Sequence, residues 1–253
     1  MYAEERQAAI VARARAEGRV EVASMADSLG VTTETVRRDL TALERAGVLR
    51  RVHGGAIPVG RLGFEPAVDT REHVATAEKE AIAKTALNEL PVDGAIALDA
   101  GTTTLRLAEA IPSDRELTVV TNGLPIATLL AGRPNLTVHL VPGRVRSRTM
   151  AAVGDAAVTF LRDVYVDVAF IGTNGFSVDR GFTTPDAEEA ATKRALIWAA
   201  GRSVVLADSS KHGVDHFAAF SGIDDVDLLI TDAGLDARKA SALEDAGLQV
   251  VRA

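Results

Sequence analysis

Four short segments of this 253-residue chain gather residue types suited to holding an anion. Asp99-Ala-Gly-Thr-Thr-Thr104 sets a carboxylate, a glycine and three hydroxyls side by side at the end of an apolar run. Gly101 would let the backbone approach a ligand there. The hydroxyls of Thr102, Thr103 and Thr104, with the free N–H groups of a following helix, would cradle a phosphate. The plain alternative is that Thr102 only caps the helix. Thr121-Asn122-Gly123, Ile171-Gly172-Thr-Asn-Gly175 and Ala207-Asp208-Ser-Ser-Lys211 sit at comparable strand ends, and the last supplies a cation. Each alone reads as a turn. Together on one sheet edge they describe a pocket lined with donors, suited to a polyol bearing phosphate. Because carboxylate repels phosphate, Asp99 is assigned to a sugar hydroxyl or to orienting its loop.

Glu189 and Lys193 stand at i, i+4 near the start of a helix. That spacing gives an ordinary surface ion pair, or, if the helix end faces the pocket, a grip on a hydroxyl and a phosphate. Arg144, Arg146 and Arg148 read as a solvated loop, with phosphate contact by Arg148 as the alternative. Other chemistries fit poorly. A metal site from His212, His216, Asp208 and Asp215 lacks a third well-placed ligand, and Gly213 spoils helical presentation. Asp208, Ser209, Ser210 and His212 are neighbours in sequence, whereas a triad converges from separate elements, and no G-x-S-x-G elbow exists. Walker A and G-x-G-x-x-G patterns are also absent. No cofactor is expected.

The elements needed to position these segments can be read from periodicity. Helical Glu78–Leu90 precedes strand Ala95–Leu98, helix Thr103–Ala110 and strand Leu117–Val120. Helix Pro125–Leu130, strand Leu136–Val141, helix Asp155–Leu161 and strand Val166–Ile171 follow. Helix Ala187–Ala200, strands Ser203–Ala207 and Leu228–Thr231, helix Ala237–Ala246 and strand Leu248–Val251 complete the series. Apolar strands alternating with amphipathic helices predict an α/β domain with a mostly parallel, Rossmann-like sheet, whose ligands bind at the carboxyl edge.

The first 56 residues read differently. A helix over 2–17 stops at Gly18, and a short strand spans 19–22. Ser24, with Asp27 as a capping-box partner, starts a helix that ends at Gly30. Thr32 or Thr33 caps the next helix, where Val36, Leu40 and Leu43 face inward. That leaves Thr33, Arg37, Arg38 and Thr41 to face outward; Thr35 joins them as a candidate DNA contact, and Arg50, Arg51 and His53 form a basic wing. The order is that of a winged helix-turn-helix, whose second helix fits the DNA major groove. The expected domains are 1–56 for DNA, 57–74 as linker, with fading periodicity and several Pro and Gly, and 75–253 for sensing.

Composition agrees with this division. Residues 1–56 hold nine arginines against eight acids, a net +1, while the whole chain carries −7, so the remainder carries −8. A near-neutral segment binds DNA if its cations share a face; the acidic remainder is not a DNA surface. Zero cysteines excludes disulfides and thiolate metal sites. The N-terminus does not read as a signal peptide, and no apolar run is long enough to cross a bilayer. A cytoplasmic protein without membrane partners is expected.

With these residues in place, the chain resembles the DeoR family of bacterial sugar-operon regulators along essentially its whole length. Thr35-Val-Arg-Arg-Asp-Leu40, Leu43-Glu44 and Arg51-Val-His-Gly-Gly-Ala56 are similar to that family's recognition helix and wing. Asp99-Ala-Gly-Thr-Thr-Thr104, Val120-Thr-Asn-Gly123, Glu189-x-x-x-Lys193, Asp208-Ser-Ser-Lys211 and Leu229-Ile-Thr-Asp232 resemble its sensor motifs in their usual order. Where the family usually has paired glycines, this chain has Pro142-Gly143-Arg144, with an arginine at the pocket rim.

The resemblance implies a transcriptional regulator, most simply a repressor of a sugar catabolic operon. It would form a dimer or tetramer, bind double-stranded operator DNA and respond to a phosphorylated sugar. It also implies an effector site drawn from Asp99, Gly101, Thr102, Thr103, Thr104, Asn122, Gly143, Arg148, Gly172, Glu189, Lys193 and Lys211. The family's sensor domain is similar to ribose-5-phosphate isomerase, so an isomerase-like enzyme is the rival reading. The isomerase places carboxylates in the loop that here reads Gly172-Thr-Asn-Gly175, which contains none, so binding without catalysis is the expectation.

Overall fold

Val36, Leu40 and Leu43 point into one small core with Ile10, Ala14, Met25 and Leu49. They do so in a computed structural model that describes residues 2–17, 19–52, 54–58 and 68–253. The chain divides into two units, Met1–Pro66 and Ala67–Ala253. The first contains helix α1 (Ala3–Glu17), strand β1 (Val20–Glu21), helices α2 (Val22–Leu29) and α3 (Thr33–Arg45), and strands β2 (Leu49–Val52) and β3 (Gly55–Pro58). The strands pair antiparallel in the order β1-β3-β2. Thr32 caps α3, accepting the Thr35 N–H at 3.2 Å, and left-handed Gly30 closes α2.

The expected Ser24 cap does not form. Helix α2 begins at Val22 after Glu21, which makes no side-chain cap. Tertiary pairing sets this start: Glu21 pairs with Gly55, and the Val22 N–H donates to the Gly54 carbonyl at 2.9 Å. The stretch 57–74, read as linker, is regular at both ends, because 57–58 belong to β3 and 68–72 form helix α4 (Val68–Glu72). Residues 59–67 lie outside the described residues.

The second unit continues with α5 (Thr76–Ala86), β4 (Asp93–Leu98), α6 (Thr102–Ala110), β5 (Glu116–Thr121), α7 (Leu124–Leu130) and β6 (Leu136–Leu140). Hairpin β7 (Arg144–Arg146) and β8 (Ala151–Val153) precedes α8 (Asp155–Arg162) and β9 (Val166–Gly172). Hairpin β10 (Gly175–Ser177) and β11 (Gly181–Thr184) leads to α9 (Ala187–Trp198), β12 (Ala200–Leu206) and β13 (Ala218–Ser221). Strand β14 (Leu228–Thr231), helix α10 (Ala237–Asp245) and strand β15 (Gln249–Arg252) end it.

Seven strands form a parallel sheet in the order β15-β14-β12-β9-β4-β5-β6. Strand alternation divides its two faces. Ile96 and Leu98 pack with Ile82, Leu107 and Ile126 from α5, α6 and α7. Ala97, Ile171 and Val205 face the other way, toward Leu161, Leu196 and Leu243 from α8, α9 and α10. The chain leaves β4 toward β5 and β6 on one side, and passes through β9 toward β12, β14 and β15 on the other. The strand order therefore reverses between β4 and β9, and the carboxyl ends of those two strands flank the crevice where such sheets bind ligands. A separate antiparallel sheet, β10-β11-β13, is built on Phe176, Phe182 and Phe220. Among the described residues no helix is long and apolar enough to cross a membrane.

Candidate functional site

On α3 the outward face is as expected: Thr33, Arg37 and Arg38 are exposed, while Thr35 and Thr41 are half-buried. The Thr35 hydroxyl meets that of Thr32 at 2.9 Å, and the Thr41 hydroxyl donates to the Arg37 carbonyl at 2.8 Å. Arg37 leans on Glu34 at 3.6 Å. Arg38 makes no ion pair among the described residues. From β2, Arg51 reaches the Thr41 hydroxyl at 3.3 Å, and its N–H donates to Glu44 at 3.0 Å, which ties the wing strand to the helix. Arg50 lies on the same strand, and His53 lies outside the described residues. Asp39 turns inward and holds Arg6 and Gln7 of α1. That link was not legible in the sequence, because its partners stand more than thirty positions away.

In the second unit the β4 and β9 ends are joined by a buried ion pair. Lys193 donates to the Asp99 carboxylate and, at 2.9 Å, to the Gly172 carbonyl; the Gly172 N–H donates to Asp99 at 3.0 Å. Both side chains are buried. The ion pair that i, i+4 spacing suggested between Glu189 and Lys193 does not form. Glu189 instead accepts from Thr149, from Arg146 at 3.1 Å and from Thr184 at 3.2 Å. Each partner is supplied by a hairpin that the periodicity did not reveal.

Asn122 accepts the Ala100 N–H at 2.8 Å and donates to the Ala152 carbonyl, so it holds the loop after β4 against β8. Thr104 donates to the carbonyls of Asp99 at 2.6 Å and Gly101 at 3.0 Å. Asp232 accepts both the N–H and the hydroxyl of Ser209, which fixes the loop after β12. Gly143 has φ +147°, and a side chain there would meet the Val153 carbonyl at 2.6 Å, so it is needed for close approach within the hairpin. Arg144 pairs with Glu188. Arg148 is exposed at the hairpin turn, and its carbonyl accepts the Val68 N–H at 2.8 Å.

What remains at this edge is not taken up by the scaffold contacts above. Helix α6 starts at Gly101, which offers no side-chain cap, so its first amides keep their donor capacity. Among the described residues the hydroxyls of Thr102 and Thr103 have no hydrogen-bond partner, and Lys211 makes no ion pair. One further cation was missed. Lys79, in the first turn of α5, is buried and donates to the Arg71 carbonyl and, at 2.6 Å, to that of Val74. Burial pushes its ammonium down to about 8 against the pull of Asp208, and Lys211, Arg71 and Arg106 add to the fall. Its signal in sequence was only a lysine on an amphipathic helix.

A folded-state value below the unfolded one means that the folded chain releases this proton first. Stability contributed here rises as pH climbs from about 8 toward the ordinary lysine value near 10.5. Lys79→Met should remove that rise. Melting curves of both chains between pH 7.5 and 10 check it, and parallel profiles would contradict it.

The comparisons with known proteins agree with this architecture. Residues 6–59 match the DeoR-like helix-turn-helix domain, and residues 74–233 match the DeoR C-terminal sensor domain. The chain is 40% identical over 230 residues to the HTH-type transcriptional regulator GlpR of Haloferax volcanii, covering 91% of this chain and 90% of that one. It is 30% identical over 249 residues to the putative aga operon transcriptional repressor of Escherichia coli O157:H7, covering 98% and 93%. A solved ribose 5-phosphate isomerase A from Neisseria gonorrhoeae superposes with a TM-score of 0.40 at 18% identity, over 54% of this chain and 53% of that one. A helix-turn-helix with an outward arginine face, joined to an α/β domain of the matched sensor type, places this chain in the DeoR family of DNA-binding transcriptional regulators.

Proposed function

We propose that this regulator represses a sugar catabolic operon and is relieved by a phosphorylated sugar bound at the carboxyl edge of its seven-stranded sheet. The observation that carries the reading is a division of labour at the β4–β9 crevice. Asp99, Lys193, Asn122 and Thr104 are committed to internal partners, whereas the α6 amides, the Thr102 and Thr103 hydroxyls and Lys211 are left to meet an anion. Lys193 is neutralised by Asp99, so the phosphate charge falls to the helix end and Lys211. The sugar hydroxyls would face the Gly172 and Asn122 loops.

On the DNA side, Thr33, Arg37, Arg38 and Arg51 provide the contact surface, with Arg38 the cation best placed to read a base. The operator is double-stranded, and a dimer or tetramer presents two such helices to its half-sites. Binding without turnover is favoured over isomerisation because the Gly172–Gly175 loop carries no carboxylate to act as base. Relief follows if the phosphosugar binds the DNA-free conformation better than the DNA-bound one.

Lys211→Ala should weaken the stabilising phosphosugar at least tenfold while leaving DNA affinity without it unchanged, because a charge-assisted contact is lost at one site only. Calorimetry and fluorescence anisotropy on the full chain measure the two quantities. Unaltered phosphosugar affinity would refute the placement of the phosphate.

A further inference from the structure

Strand β6 ends the seven-stranded sheet, and one side of its backbone is open. The Leu117 N–H donates to the Asn135 carbonyl at 3.3 Å, and the Val141 N–H donates to the Thr121 carbonyl at 2.8 Å. Odd-numbered positions of β6 therefore turn their N–H and C=O toward β5, and even-numbered ones turn theirs away from the sheet. The Leu136 N–H is taken by the Arg133 carbonyl at 3.1 Å. The N–H and C=O groups of Val138 and Leu140 have no partner among the described residues.

This edge also lacks what ordinarily keeps edge strands apart. Charged side chains and proline within such a strand oppose pairing with another chain, and β15 at the opposite edge carries Arg252. Strand β6 reads Leu-Thr-Val-His-Leu, with no Lys, Arg, Asp, Glu or Pro. The flanking arginines are engaged: Arg133 donates to the Ile111 carbonyl at 2.9 Å and the Glu109 carbonyl at 3.1 Å, and Arg144 pairs with Glu188. Leu136 and Val138 pack on the face that holds Ile126 and Leu130 of α7. On that same face Leu140 is 48% exposed.

We propose that β6 pairs antiparallel with β6 of a second copy of this chain, about a two-fold axis at His139, and joins the two sheets edge to edge. This names a surface for the dimer or tetramer proposed above and rests on that reading. The open groups select the register. With position 139 opposite itself, Val138 of each copy exchanges both backbone bonds with Leu140 of the other, and every open group is satisfied. Beyond them Pro142, which has no N–H, meets Leu136, whose N–H is already used, so the ladder stops. Sliding by two residues one way leaves the Leu140 carbonyl facing the occupied Leu136 N–H. Sliding the other way leaves the Val138 carbonyl facing Pro142. Only the two-fold register at 139 orphans nothing.

Charge points to a second copy as the occupant. Beyond residue 56 the chain carries −8, so two copies repel over most of their surfaces. A two-fold contact sets each patch against itself, and β6 is a strip where that brings no like charges together. Leu140 of each copy lies against Val138 of the other. On the opposite face the two His139 side chains meet, with Cα atoms about 4.5 Å apart. The paired strands run in opposite directions, so the two carboxyl edges point away from each other and both crevices stay open.

Cross-linking and sedimentation of the full chain test the proposal. The chain has no cysteine, so a single introduced one reports one position. His139 and Thr137 are both exposed, so changes there leave the core intact. Under mild oxidation His139→Cys should form a disulfide-linked dimer at least ten times faster than Thr137→Cys. In this register the two copies of position 137 stand about 13 Å apart, beyond the reach of a disulfide. Equal rates overturn the register. In sedimentation, His139→Lys and His139→Glu should each halve the mass of the assembly at concentrations where the parent holds together, and mixing the two variants should restore it. Unchanged mass in both variants, or no recovery in the mixture, overturns the interface and leaves the oligomer reading standing. A parent that sediments as a monomer at every concentration overturns the oligomer reading, and the interface falls with it.

Discussion

Asp99→Ala should destabilise the second unit by about 3–5 kcal/mol, because it leaves the Lys193 ammonium buried without its counter-charge. For a unit of this size that corresponds to a fall in melting temperature of roughly 10 °C. The Gly172 N–H loses its acceptor at the same time, so the loop after β9 should loosen with the loop after β4. A double change, Asp99→Ala with Lys193→Met, should cost less than Asp99→Ala alone, since no isolated charge remains. Calorimetric melting of the three chains measures this. Equal costs for the single and double changes would show that the pair does not bind the two strand ends together, and the division between scaffold and ligand-facing groups would lose its basis.

The second large effect concerns DNA. Arg38→Ala should weaken specific binding by about 1–3 kcal/mol if the side chain reads a base. Arg37→Ala should do less, because Arg37 is partly engaged with Glu34. The double change should bring affinity close to the non-specific level. Fluorescence anisotropy on a duplex selected by the chain from a random pool, repeated over a range of salt, separates base reading from phosphate contact. Specific affinity retained in the double variant would place the recognition surface elsewhere than on α3.

Much of this architecture was legible because its signals are local and periodic. The i, i+4, i+7 spacing of Val36, Leu40 and Leu43 turned the arginines outward, and strands buried on both faces announced a parallel sheet. The carboxyl-edge segments could be found for the same reason: each directly follows an apolar run. What the sequence hid was non-local. Strands of three or four residues, such as β7, β8, β10, β11 and β13, are too short to show alternation. Their partners decided what Glu189 and Asn122 do. Ser24 looked like a cap until strand pairing at Glu21 moved the helix start three residues earlier. Lys193 pairs with Asp99, which lies 94 positions away. Spacing along one helix could not reveal that bond.

The central claim, that phosphate on a sugar acts at this sheet edge to release DNA, is tested most directly by one titration. The full chain is bound to its selected duplex, and the phosphosugar that best stabilises it is added in parallel with the same sugar lacking phosphate. The phosphosugar should release the duplex at concentrations at least a hundredfold below any effect of the free sugar, since the α6 amides and Lys211 recognise the anion. Release at equal concentrations of both sugars, or retention of the duplex under a phosphosugar that demonstrably binds, would contradict it.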